Sequence, residues 1–355
     1  MVTPYHAHKA IASILSFKSD SVLLKKILSE PSFDWDVIVE LGSRHLILPT
    51  LYIRLKQKSL LDVLPLELKE YLEELTSINR NRNLSLLNDV KEISKLFQIH
   101  SINHVFLKGM ALLSADYFKD SGERMIADID LLVDTKDIAK AYKLLLDNNF
   151  DSAQESPLYK FTEHKHLPRL IPKNGLAAVE IHSRLFNSKE TNYLLPENLL
   201  LSKQIVNGVY IPSNKDLLQH NTLNWQINDK GYYYSKIGFR SAYDSLIILK
   251  AHQESTFKDR LRNKYTKNYY LMLSVLFDDV ITTETFNKRS LKFNYIKYKL
   301  KHQKVSKLID IILNKLHYFY ILITRFYMFV INRAYRKAAI GDKKRIFKIL
   351  KKPRI

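Results

Sequence analysis

Two aspartates stand one residue apart in an apolar run, RMIADIDLLVD. The run predicts a strand, and alternate residues of a strand point to the same face. Asp128 and Asp130 should therefore project together, while Ala127, Ile129 and Leu131 face a core. Two carboxylates that close repel each other, and burial adds to the cost of their charge. A divalent cation would relieve both effects, and hard oxygen ligands favour Mg²⁺, with Mn²⁺ as the alternative.

A third carboxylate, Glu180, lies in AAVEIHSRLF, which predicts a second strand. If the two strands are neighbours, Glu180 joins the aspartates. Three carboxylates around two metal ions, spaced roughly 3.5–4 Å apart, would form a centre for phosphoryl transfer. His182 follows on the same strand face. It either orients a metal ligand or touches phosphate, or it is a hydrogen-bonded structural histidine.

An anion site is predicted next to this cation site. Lys108 and Gly109 end the short apolar run HVFLKG and open a helix, so a lysine and free backbone N–H groups face one region. A nucleotide with its metal ion needs both kinds of site. The alternative interpretation of Asp128 and Asp130 is a solvated strand end.

The combined motifs resemble the bacterial uncharacterised nucleotidyltransferase family of the DNA polymerase beta-like superfamily. They are L-K-G at 107–109, R-M-I-A-D-I-D-L-L-V at 124–133 and E-I-H at 180–182. The resemblance covers roughly residues 30 to 250. Departures from the family pattern are Lys-Gly in place of the Gly-Ser turn of many superfamily members, and few histidines in LLQHNTLNW, where only His220 remains.

The resemblance implies that an acceptor attacks the α-phosphate of a nucleoside triphosphate and that pyrophosphate leaves. Asp128 and Asp130 would hold both metal ions. Glu180 would complete the metal site on the acceptor side and help to deprotonate the nucleophile.

For the nucleotide, the resemblance implies three contacts. Lys108 and Gly109 would hold triphosphate oxygens, and Arg124 would clamp phosphate, since its planar fork suits phosphate oxygens. The acceptor stays open among small molecules, proteins and RNA.

Composition excludes several classes of site. The chain has no cysteine, so disulfides, zinc–thiolate sites and cysteine nucleophiles are excluded. Among its eight glycines there is no dinucleotide-binding or P-loop pattern. The N-terminal residues lack the basic and apolar segments of a signal peptide, so we expect a cytoplasmic protein.

The order of predicted elements indicates an α/β (α+β) fold: a nucleotidyltransferase core with a small mixed β-sheet, embedded in N- and C-terminal helical regions. Helices are predicted up to about residue 100, with Asp34 as a cap and a possible break between Asn79 and Asn83. A hairpin is predicted around Lys173-Asn174-Gly175, and helices again from 199 to 277. The predicted divisions are an N-terminal helical region at 1–98, the core at 99–212, a helical region at 213–280 and a basic helical tail at 281–355.

Three weaker candidates each have a plainer explanation that we favour. His164 and His166 resemble a ligand pair but suit a solvated loop. Arg240, Tyr243 and Asp244 have helical spacing and suit an intrahelical pair. The aromatic run GYYYSKIGF could stack a base, but packing between helices is the preferred prediction.

Most of the net charge of +20 belongs to the tail, where residues 281–355 hold 20 basic and 3 acidic side chains. The favoured prediction is a packed helix with a solvated basic face. An anionic membrane surface, making the protein peripheral, comes second, and nucleic acid third. Two functional alternatives to catalysis stay open: a non-catalytic nucleotide-binding or regulatory protein, and an accessory protein docked through this tail.

Overall fold

The protein is described here from a computed structural model, which covers residues 4–154, 156–161, 163–251, 263–278 and 290–345. Within these residues the α-helices are α1 (Pro4–Leu15), α2 (Ser21–Leu28), α3 (Trp35–Arg44), α4 (Leu48–Gln57), α5 (Leu66–Ile99), α6 (Lys108–Ser114), α7 (Ile138–Leu146), α8 (Pro196–Leu201), α9 (Asn214–Leu223), α10 (Gly231–Tyr234), α11 (Phe239–Ala251), α12 (Lys264–Leu273), α13 (Leu291–Lys301), α14 (Gln303–Ile331) and α15 (Arg333–Gly341). The strands are β1 (His104–Phe106), β2 (Ile129–Val133), β3 (Phe150–Ser152), β4 (Leu170–Pro172), β5 (Val179–His182), β6 (Gln204–Val206) and β7 (Val209–Ile211).

Strands β1 to β5 form a five-stranded sheet in the order β1-β2-β5-β4-β3. Strands β2 and β5 are parallel, and the other neighbouring pairs are antiparallel. A parallel pair needs a crossover, which α7, β3 and β4 supply between β2 and β5. The predicted mixed sheet within a helical setting, including the hairpin of β4 and β5, is confirmed.

The two faces of the sheet bury different clusters. Ile129, Leu131 and Ile181 belong to the large core shared with the N-terminal helices, while Leu132 belongs to a smaller core on the other face. Because side chains alternate along a strand, Asp130 lies on the same face as Leu132. Ala127 is exposed, so its predicted place in the core is wrong.

Helix α5 continues without interruption past the predicted break. Asn79 and Asn83 are buried and donate to backbone carbonyls of the loop before β2, at Gly122, Arg124 and Ser121. Asparagine has a low helix propensity, but these tertiary hydrogen bonds offset it. The same helix therefore fixes the segment that leads into the aspartates. The predicted cap is confirmed, since Asp34 accepts the N–H of Val37.

The uniformly helical prediction for residues 199–277 is wrong at β6 and β7, which form a two-stranded antiparallel hairpin. Its turn is Asn207-Gly208, where both residues have positive φ, 53° and 81°. Asn-Gly is the pair that a two-residue hairpin turn favours.

The tail is helical in its described part, and residues 281–289 and 346–355 of the predicted division lie outside the described residues. Helix α13 buries Phe293 and Ile296, and α15 buries Tyr335. In contrast, no residue of α14 is buried, so the predicted packed helix is wrong for this segment. Within the described ranges, no helix is long and apolar enough to cross a membrane. The four-part division of the chain stays a prediction.

Candidate active site

The register of β2 and β5 brings two of the predicted acids side by side. Asp130 is the direct neighbour of Glu180, and Leu132 is the neighbour of His182. Because neighbours in a parallel pair project to the same side of the sheet, Asp130, Glu180 and His182 share a face. Only 3% of the Asp130 side chain and 6% of the Glu180 side chain are exposed.

His182 connects the two carboxylates. Its Nε2 lies 2.9 Å from Oδ1 of Asp130 and 3.4 Å from Oε2 of Glu180. Ligand atoms of these three residues all lie within 4.8 Å of one another, a spacing that one divalent cation can span. Among the described residues, the group of potential metal ligands thus contains His182 where the sequence predicted Asp128.

Lys108 reaches this group from the end of β1. The backbone N–H of Leu107 donates to the carbonyl of Asp130 at 2.9 Å, which extends the pairing beyond Phe106. Lys108 then takes a left-handed backbone conformation with φ of 53°, an uncommon and strained choice for a residue with a side chain. Its Nζ lies 2.5 Å from Oδ1 of Asp130. The strained turn therefore places the ammonium group at the buried carboxylate.

Gly109 is buried directly after this turn. A Cβ at this position would stand 2.6 Å from Cδ1 of Ile126 and 3.3 Å from the guanidinium of Arg124. The glycine therefore permits a close approach between α6 and the loop before β2. Its role in holding triphosphate oxygens stays a prediction.

Arg169, which the sequence analysis did not single out, bridges the remaining carboxylates. Its Nη2 lies 2.5 Å from Oε1 of Glu180 and 3.3 Å from Oδ2 of Asp128. The guanidinium sits at the rim, with 54% of the side chain exposed. Asp128 precedes β2 and is 26% exposed, so the two aspartates differ in depth although both belong to the site. One signal was available: Arg169 precedes β4, the predicted hairpin partner of the strand that carries Glu180.

The charges of the cluster shift its pKa values in different directions. Burial alone would raise the pKa of Asp130, but Lys108 and His182 outweigh it and hold that pKa well below its usual range. Burial likewise opposes ionisation of Glu180, whose pKa falls to about 2, chiefly through its hydrogen bond with His182. Asp128 shows the opposite result, because burial and the two neighbouring acids raise its pKa.

Further basic groups surround the acids. Burial lowers the pKa of Lys165, and the field of Lys108 adds to this effect. Burial also lowers the pKa of Arg240 on α11. His166 contributes a nitrogen 3.8 Å from Oε2 of Glu180 and forms an isolated bridge with His182. The site is thus a small acidic centre within a basic ring.

Arg124 lies in a buried ion pair. It donates from Nε and Nη2 to both carboxylate oxygens of Asp244, at 2.8 and 2.9 Å. The predicted pairing of Asp244 within α11 is therefore wrong. The residues that precede these two are also paired, since the hydroxyl of Tyr243 donates to Glu123. The role of Arg124 as a phosphate clamp stays a prediction, with its guanidinium engaged by Asp244 in this structure.

The two remaining weak candidates, the histidine pair and the aromatic run, have different outcomes. His164 stacks on Tyr159 at 3.5 Å between ring centroids, whereas His166 approaches Glu180, so they do not form a ligand pair with each other. The aromatic run packs between helices as predicted: Tyr232 contacts Tyr265 of α12, and Tyr233 donates to the Leu313 carbonyl of α14.

The fold is a small mixed sheet set among helices, with two carboxylates and one histidine gathered on β2 and β5. The chain belongs to the family described as uncharacterised nucleotidyltransferase, whose model matches residues 31–270. This match confirms the predicted family and ends before the basic tail. The chain is also similar to the crystal structure of an antigenic nucleotidyltransferase-like protein from Paracoccidioides brasiliensis. Identity is 14% and the TM-score is 0.34, covering 52% of this chain and 85% of that chain. No curated protein matches the chain.

Proposed function

We propose that this protein is a metal-dependent nucleotidyltransferase, which transfers a nucleoside monophosphate from a nucleoside triphosphate to an acceptor. One observation carries the proposal: the parallel register of β2 and β5 aligns Asp130 with Glu180, and His182 lies between their carboxylates. Burying acids in this way is costly unless cations compensate them.

The ligand atoms present fit a divalent cation. Two carboxylates and one imidazole nitrogen converge within 4.8 Å, and carboxylate oxygens suit Mg²⁺ and Mn²⁺. Asp130, Glu180 and His182 would hold such an ion. A bound ion would neutralise charge on the phosphates and polarise the bond to the α-phosphate.

Positive side chains of the chain itself would bind the nucleotide. Lys108 lies at the buried end of the site, while Lys165 and Arg169 stand nearer the rim. Charge-assisted hydrogen bonds to phosphate are the strong ones in proteins. Arg169 contacts two carboxylates, but its side chain is half exposed. Its guanidinium can therefore turn towards a triphosphate without first leaving a buried position.

Asp128 is the residue best placed to take a proton from the acceptor. Its side chain is about four times as exposed as that of Glu180, at 26% against 6%. An acceptor arriving from solvent therefore meets Asp128 first. Arg169 contacts both acids, and Glu180 is held by His182 in addition.

The first test is a titration with Mn²⁺ followed by a nucleoside triphosphate. Wild type should bind both, and Asp130→Asn should lose the metal ion. Asp151→Asn, on β3 of the same sheet with a 69% exposed side chain, is the matched control and should bind as wild type does. Equal metal binding by Asp130→Asn and wild type would overturn the assigned ligands.

The second test incubates the protein with each α-labelled triphosphate and cell lysate. Label transferred to an acceptor, and lost in Asp130→Asn, is the expected result. Binding of triphosphate without transfer to any acceptor would support instead a non-catalytic nucleotide-binding protein. A cytoplasmic location stays a prediction.

A further inference from the structure

Helix α14 carries an apolar outer row with regular spacing. Its members recur at alternating steps of four and three residues, so that they lie along one side of the helix. They are Ile312, Leu316, Phe319, Ile323, Phe326 and Val330, between 49% and 69% exposed. A row of this length is far more apolar surface than scattered exposed residues would give, and such patches mark interaction sites.

The opposite side of α14 contacts the rest of the protein. Asp310 pairs with Lys236 and Lys299, both at 3.0 Å. Farther along, the carbonyl of Leu313 accepts a hydrogen bond from Tyr233. These contacts hold the helix on the body of the protein, and so the outer row faces away from it.

The charges near this row are one-sided. Residues 303–345 hold ten basic and two acidic side chains. Both acids are engaged inwards: Asp310 with the two lysines, and Asp342 with the hydroxyl of Ser156 at 2.6 Å. Arg333, Lys337 and Lys343 are exposed. The outward charge beside the apolar row is therefore positive.

We propose that the outer row of α14 and the basic residues of α15 dock on an anionic lipid surface. An amphipathic helix in the interface buries its apolar row at the acyl boundary, while flanking cations pair with acidic headgroups. Tyr320 and Tyr327 beside the row suit such a boundary, because tyrosine has an apolar ring and a polar tip. A second copy fits less well, since two equally basic tails would repel each other.

Co-sedimentation with vesicles tests the proposal on the full chain. One set of vesicles is phosphatidylcholine, and the other is equal parts of phosphatidylcholine and phosphatidylserine. Wild type should bind the second set and not the first, and rising salt should weaken the binding, since exposed charges are screened over about 8–10 Å.

A matched pair of variants separates the apolar row from the overall charge. Phe326→Glu places a charge in the row and should lower partitioning roughly tenfold or more, because the burial of a large apolar side chain is lost. Thr324→Glu adds the same charge two residues away, outside the row, and should retain most binding. Lys337→Gln should weaken binding by roughly fivefold.

Three outcomes would overturn the proposal. Wild type that stays in solution with acidic vesicles is the first. The second is Phe326→Glu binding as wild type does, with circular dichroism showing both folded. The third is a wild-type dimer in light scattering that Phe326→Glu dissociates, which would assign the row to a second copy. In the first outcome, binding to a single-stranded RNA that Phe326→Glu leaves unchanged would assign the basic residues to nucleic acid.

Discussion

Two buried ionic clusters among the described residues have opposite designs. In one, Arg124 faces Asp244 with two parallel hydrogen bonds, and each side chain is less than a tenth exposed. In the other, Asp130 and Glu180 lie side by side, and Arg169 offers its charge to Glu180 from the exposed rim. The first cluster matches one cation with one anion in a fixed fork. The second places like charges next to each other and relies on several partners.

This difference separates a structural contact from a functional one. A matched pair leaves no acceptor for a further ion, and its replacement by apolar residues costs little. Adjacent carboxylates are tolerated only with compensation, and a group that compensates from the edge can be exchanged for a ligand. Four predictions test whether the two clusters behave so differently.

The largest effect is expected at Asp130. Asp130→Asn keeps the shape of the side chain and removes its charge, so transfer should fall on the order of a thousandfold or more. The free energy of unfolding should also fall, by roughly 1–3 kcal/mol, since Lys108 and His182 lose a buried partner. Initial rates with labelled triphosphate, and urea unfolding, measure the two quantities. Transfer at the wild-type rate would remove this cluster from catalysis.

Arg124→Ala should have the largest effect on stability. It leaves Asp244 buried without its partner, and such a change costs about 3–5 kcal/mol. The double variant Arg124→Leu with Asp244→Leu should recover most of this loss in urea unfolding. A double variant as unstable as the single one would show that the pair is itself net stabilising, and that the two clusters do not differ in this way.

The stability of the protein should depend on pH through Glu123, the residue before Arg124. Burial raises the pKa of Glu123 from 4.5 to about 7, although the hydrogen bond from Tyr243 opposes the shift. Between these values the folded protein holds a proton that the unfolded chain releases. The contribution of Glu123 to the free energy of unfolding should therefore fall as pH rises from 4.5 through 7, by on the order of 3 kcal/mol. In Glu123→Gln, unfolding measured from pH 4.5 to 8 should lack that fall.

Lys108→Ala should have the smallest effect of the four. The loss of one charge-assisted contact with phosphate is worth roughly 1.5–3 kcal/mol, so affinity for the triphosphate should fall about tenfold or more. Lys250→Ala, which removes an exposed lysine of α11 near Glu123, is the control and should leave the affinity unchanged. Calorimetric titration with Mn²⁺ present measures both. Unaltered affinity in Lys108→Ala would make this lysine a structural counter-ion only.

The sequence predicts the acids and the strands that carry them because the signal is local. The apolar runs around Asp130 and Glu180 indicate strands, and their side chains alternate. The parallel register is not local. It decides that His182 joins Asp130 and Glu180, whereas Asp128 stands at the rim. Spacing within one strand could not reveal which residue of another strand would lie opposite.

The remaining errors have particular physical causes. Tertiary hydrogen bonds override the low helix propensity of Asn79 and Asn83, so the expected break is absent from α5. The hairpin at Asn207-Gly208 had a recognisable turn signal, which the surrounding helical pattern masked. Asp244 has its partner Arg124 120 residues away, and helical spacing suggested a nearer one.

The hydrogen bonds from α5 to the loop before β2 also constrain how related sequences can diverge. Asn79 and Asn83 donate, and backbone carbonyls accept. Any amino acid provides a carbonyl, whereas the donor must be an amide of the right length. We therefore expect relatives to change freely at loop positions such as Ser121 while they keep both asparagines. A one-residue insertion between the asparagines would turn one of them about 100° around the helix and detach the loop. The sequence of the loop is therefore free to change, whereas the spacing of the two asparagines along α5 is fixed.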